Sequence, residues 1–136
     1  METQLHRLVK AGGYINNILY QITIGVDVNA KDLCSFTALH YAVYYHYLDI
    51  AELLLKNGAD IESENLYNDT PLRMAAKADF LDMVILLLKY SANVNGCRKL
   101  GVHTPLHAVV KESGYIPVLE YLITHGADVN VVQEYG

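Results

Sequence analysis

Thr37-Ala38-Leu39-His40-Tyr41-Ala42 returns as Thr70-Pro71-Leu72-Arg73-Met74-Ala75 and again as Thr104-Pro105-Leu106-His107-Ala108-Val109, at spacings of 33 and 34 residues. Self-similarity at such a period is the mark of a short supersecondary unit stacked on copies of itself. A second phrase follows each copy by about 21 residues: Gly58-Ala59-Asp60-Ile61-Glu62, Ser91-Ala92-Asn93-Val94-Asn95 and Gly126-Ala127-Asp128-Val129-Asn130. A fourth copy, Gly25-Val26-Asp27-Val28-Asn29, requires an earlier unit. Sliding the last unit back by 101 positions finds it, laying Thr104 to His107 on Thr3-Gln4-Leu5-His6, Lys111 on Lys10 and Tyr121 on Tyr20. Four units are expected, at about 3–36, 37–69, 70–103 and 104–136.

Each unit reads as two short helices and a turn. The Thr hydroxyl can cap free amides, and Pro suits the first helical position because its missing N–H has no intrahelical partner there. After a break such as His46-Tyr47 a second helix follows, for example Asp49 to Lys56. Gly58 and Gly126 stand just beyond its end, where a left-handed residue closes a helix at little cost. At 100° per residue, Ile50, Ala51, Leu53, Leu54 and Leu55 cover about 200° of that helix, so it is buried on two sides.

The phrases T-P-L-H-x-A, I-V-x-L-L-L and G-A-D-V-N at this period closely resemble the ankyrin repeat, over nearly the whole chain. The resemblance implies an all-α solenoid of stacked helix-turn-helix pairs with projecting β-turns. It implies a concave surface of turn tips and first helices that binds another protein, and a structural ring hydrogen bond for His6, His40 and His107. A composition rich in Tyr, Asn, Ile and Lys is similar to that of ankyrin proteins of poxviruses and intracellular bacteria.

Composition narrows the function classes. The chain is 52% hydrophobic and 18% charged, so it has material for a buried interior. Its net charge is −5 with no basic block, which argues against nucleic acid. No apolar run approaches the ~20 residues of a membrane span. The N-terminal residues offer no apolar signal core. The only two cysteines, Cys34 and Cys97, lie 63 positions apart and are expected as free thiols in an intracellular compartment. No G-x-S-x-G, P-loop, G-x-G-x-x-G or H-E-x-x-H occurs, and neither a catalytic site nor a metal or cofactor is expected. His46, His103 and His125 are expected in solvent, and a zinc pairing of His103 with Cys97 would lack ligands.

Tyr accounts for 11 of 136 residues against two Phe and no Trp, and it suits contact surfaces because its apolar ring carries a hydroxyl that can stay wet. By the resemblance, Tyr44 and Tyr45 fall on the concave side of a first helix, with Lys77 and Lys111 at equivalent places. Leu33, Phe36, Leu66, Tyr67 and Leu100 form a row of turn tips; Leu66 and Leu100 either project or fold back on adjacent turns. The expected partner-binding residues are Tyr44, Tyr45, Phe36, Tyr67, Leu33, Lys77 and Lys111, with a protein as the ligand and no small-molecule substrate.

Departures from the pattern carry expectations too. Asn17 and Gln21 replace the equivalents of Ile50 and Leu54, as a terminal capping unit requires. Leu119 and Ile123 present an apolar edge at the other end. Two readings of function remain: an adaptor or competitive inhibitor, or a piece of a larger viral or bacterial protein acting in a host cell. Arg73 takes the place of a motif His, so the ring hydrogen bond is expected to be missing and the unit weaker there. Ser35 and Asn68 replace turn glycine, and an extra residue is expected to bulge the last unit's turn.

Overall fold

The computed structural model describes residues 1–96, 104–111 and 116–132. Among them lie eight α-helices and no strand: α1 (Gln4–Lys10), α2 (Ile15–Thr23), α3 (Ala38–Tyr44), α4 (Leu48–Lys56), α5 (Pro71–Lys77), α6 (Leu81–Lys89), α7 (Pro105–Lys111) and α8 (Ile116–Thr124). A 3₁₀ turn, Val129–Val132, follows α8. The odd-numbered helices pack side by side in one row, the even-numbered in a second, and each odd helix packs on the even helix that follows it.

The Thr of each phrase starts a helix. Thr3, Thr37 and Thr70 have extended backbones and accept from the amide three residues on, His6, His40 and Arg73, through their hydroxyls. Helices α2, α4 and α6 lack such caps and owe their place to burial. Ile50, Ala51 and Leu54 of α4 and Met83, Val84 and Leu87 of α6 are all buried, so these helices are held by both neighbours. In α2 the same register leaves Asn17 in solvent and Gln21 half-buried, with Ile18 fully enclosed. Ile123 of α8 is exposed and Leu119 half-buried.

Residues with positive φ separate the helices. Gly25, Gly58 and Gly126 have φ of 93°, 88° and 97°, and Ser91 fills the same place at 68°. The break between α1 and α2 holds one residue more than that between α3 and α4, and Gly12 turns there at φ 64°. A Cβ on Gly12 would lie 3.0 Å from the Tyr47 hydroxyl oxygen, so the two breaks are fitted to each other.

Polar ladders run along the stack. In each G-x-D-x-N phrase the third side chain accepts from the amide of the fifth residue: Asp27 from Asn29 (2.9 Å), Asp60 from Glu62 (3.0 Å), Asn93 from Asn95 (3.0 Å) and Asp128 from Asn130 (2.9 Å). The fifth side chain then accepts from the next phrase: Asn29 from Asp60 N (2.7 Å), Glu62 from Asn93 N (2.6 Å) and Asn95 from Asp128 N (2.8 Å). Local Asx turns and inter-unit contacts thus use the same few residues.

The bulged turn and the residues Cys97, Lys99, Leu100 and His103 lie outside the described residues, as do Glu112, the Ser113-Gly114-Tyr115 break and Gln133 to Gly136.

Candidate partner-binding surface

The surface starts with the two described projecting turns. Asp32 accepts from the amides of Cys34 and Phe36, both at 2.9 Å, and Asn65 accepts from Tyr67 (2.9 Å) and Asp69 (3.1 Å). Ser35 and Asn68 take φ of 60° and 59° at the tips. Glycine reaches this region freely and Asn tolerates it, while Ser35 is held there by the bonds around Asp32. The turns are tied together by Leu66 N donating to Cys34 O (3.0 Å) and by the Lys31 ammonium donating to Glu64 O (3.0 Å).

Motif histidines anchor the turns to the helices. Thr37 N–H donates to His40 Nδ1 at 3.1 Å, so the ring proton sits on Nε2, which donates to Asp69 O at 3.0 Å. His6 repeats the arrangement with Thr3 N (3.0 Å) and Phe36 O (3.0 Å). His107 lies 2.7 Å from the Thr104 hydroxyl through Nδ1. Each of His6 and His40 therefore joins its own helix start to the residue just before the next one. Burial pushes His40 down to about 4, with the Lys31 charge adding to it.

At Arg73 the ring hydrogen bond is absent, as expected, and its guanidinium instead pairs with the Asp69 carboxylate, both side chains largely buried. His46 and His125 are both exposed, as expected, and each also has partners. His46 is exposed but stacks on Phe80 at 4.1 Å and bonds Asp82 at 2.6 Å, joining two helix pairs. His125 stacks on Tyr121 at 3.9 Å and bonds its carbonyl.

Between turns and first helices runs a groove. One part, about 570 Å³, is lined by Phe36, Tyr44, Tyr67, Arg73, Met74 and Lys77 among others. A second part of about 390 Å³ shares Phe36, Tyr44 and Tyr67 and adds Lys10, Tyr41 and Tyr45. The aromatic walls support one another. Phe36 lies 5.1 Å from Tyr41 and 6.4 Å from Tyr67, and Tyr44 meets Tyr45 edge-on at 5.0 Å. The Tyr41 hydroxyl donates to Asp32, and burial together with that carboxylate raises it above the ordinary tyrosine range. Asp32, against the cost of burial, is held below the usual carboxylate range by Tyr41 and the turn amides.

Of the expected binding residues, the fold brings Phe36, Tyr44, Tyr67 and Lys77 into one cavity and Tyr45 into the adjoining one. Leu33, 87% exposed at its tip, and Lys111 line neither part. Leu66 projects into solvent. Lys10, Tyr41, Arg73 and Met74 were missed; the motif-internal positions of Tyr41, Arg73 and Met74 concealed their second role.

Other candidate chemistry is already engaged. Glu52 accepts from the Tyr90 hydroxyl (3.0 Å) and lies 3.8 Å from Lys56 and from Lys89, on the second-helix side. Ile85, 39% exposed nearby, is unexplained by any contact. Cys34 is an exposed free thiol. Among the described residues no three potential ligands gather as a metal would need, and no helix is long and apolar enough to cross a membrane.

Two family models match the chain: one of ankyrin repeats in many copies over residues 21–75, and one of three ankyrin repeats over 63–133. No curated protein matches it. Ankyrin repeats are generally protein–protein interaction modules on a non-enzymatic fold. With helix pairs stacked in two rows, capped at Thr and braced by the motif histidines, the chain belongs to the ankyrin-repeat family.

Proposed function

We propose that the chain is an adaptor or competitive inhibitor that holds a partner protein against its turns and first helices, with repeats bounded at about 3–36, 37–69, 70–103 and 104–136. The observation that carries this reading is the aromatic groove. Tyr44 and Tyr67 are 61% and 64% exposed, yet both stand on backbone fixed by hydrogen bonds, so they are contact area ordered in advance. Pre-ordering lowers the entropy cost of association. Groove polar groups are committed to the scaffold, Asp69 to Arg73 and Tyr41 to Asp32, which favours binding over catalysis.

The test is capture of proteins from a cell lysate by the wild-type chain and by Tyr44→Ala/Tyr67→Ala, with circular dichroism to establish that both are folded. Hot-spot aromatics carry much of an interface's affinity, so the captured proteins should be lost with the double variant and kept by Glu52→Ala on the second-helix side. The opposite pattern would refute the reading.

A further inference from the structure

Charge is distributed unevenly between the two helix rows. The four first helices hold Arg7, Lys10, Arg73, Lys77 and Lys111, half of the chain's ten Lys and Arg, and none of its fifteen Asp and Glu. Of these, Lys10, Arg73 and Lys77 line the groove of a chain whose net charge is −5.

Most of these cations are answered internally. Glu2 lies 2.7 Å from Lys10 and 3.6 Å from Arg7, and Asp69 pairs with Arg73. Lys77 differs. It lines the larger cavity and is exposed, and among the described residues no carboxylate lies within ion-pair reach of it. Lys111 holds the equivalent helix-end position in the next unit.

Resting on the binding role above, we propose that the groove takes an acidic segment of its protein partner: a bulky apolar or aromatic side chain seats among Phe36, Tyr44, Tyr67 and Met74, and a neighbouring carboxylate meets Lys77. The apolar walls supply burial, and the lysine supplies orientation and register, as complementary charge does at interfaces. Single-stranded nucleic acid also stacks on aromatics, but it needs cations tracking its phosphates. Here the larger cavity offers one cation not already paired, and Asp69 shares its wall.

A displayed random-peptide library selected on the full-length chain tests this. Selected peptides should carry Asp or Glu within a few residues of a large apolar side chain. A synthetic peptide of that consensus should bind about tenfold more weakly to Lys77→Glu and less weakly to Lys77→Gln, each variant's fold being checked by thermal melting. Replacing the peptide's acid by Lys should recover binding to Lys77→Glu.

Peptides that require Tyr44 and Tyr67 but show no acidic preference, or ignore both Lys77 variants, would overturn this proposal and leave the groove's role standing. A selection without enrichment, or peptides indifferent to Tyr44→Ala/Tyr67→Ala, would overturn both. Oligothymidine competing with the peptide at equal concentration would overturn the choice of a protein ligand.

Discussion

Replacing His40 by glutamine separates the two things this ring does: it spans from the start of α3 to the next turn, and it stays neutral. The ring is fully buried, with Thr37 N–H on Nδ1 at 3.1 Å and Asp69 O on Nε2 at 3.0 Å. A glutamine amide cannot reach both ends, so one buried backbone group loses its partner. That costs about 1–3 kcal/mol at pH 7. The pH dependence runs the other way. Folding holds His40 at about 4 against an ordinary 6.5, so the unfolded chain takes up the proton first as pH falls. Stability that is present above pH 6.5 is lost as the pH drops through 4, amounting to about 2 kcal/mol at pH 5 and about 3 kcal/mol at pH 4. The variant has no such proton to bind, and the carboxylates titrate in both proteins and cancel in the comparison. Urea unfolding followed by circular dichroism should show the wild type ahead at pH 7, with its lead shrinking and vanishing near pH 4. A difference that stays constant from pH 7 to pH 4 would refute the linkage.

Gly12→Ala should cost about 1–2 kcal/mol through its positive φ, with a further loss against the Tyr47 hydroxyl that shrinks in a Tyr47→Phe background; thermal unfolding of the four proteins of the cycle measures both parts. Asp69→Asn leaves the Arg73 guanidinium buried without its counter-ion, which should cost about 3 kcal/mol in urea unfolding. A loss no larger than that of a surface pair would show that water reaches the site.

Much of the fold was legible because its signals are local. Thr at a helix start, Pro just after it and Gly beyond the end act within one turn of chain, so three copies of a phrase were enough to place the helix starts. The exposed aromatics of the candidate site were legible through the resemblance to the ankyrin repeat, which puts Tyr44 on the concave side of a first helix and Tyr67 at a turn tip. What stayed hidden depended on packing. Arg73 read as a lost hydrogen bond although its partner, Asp69, stands only four residues earlier, because the pairing needs the turn and the helix start to enclose both side chains. His46 is exposed as expected, but its stacking on Phe80 and its bond to Asp82 were not legible because both lie more than thirty residues on.

The sequence by itself determined the period, the helix pairs, their caps and the two-sided burial of the middle second helices, since each follows from bond geometry and apolar spacing over a few residues. Tertiary structure alone decided which side chains meet across units. Asn29, Glu62 and Asn95 each look like the last letter of a turn phrase, and only stacking makes them the rungs between successive turns. Stacking likewise sets Tyr67 of one turn across from Phe36 of the turn before it and gathers Tyr44 and Lys77 from neighbouring helices into one groove. A repeat encodes its own unit. The groove belongs to the offset between units, because residues about 33 positions apart become neighbours only once the helices have packed.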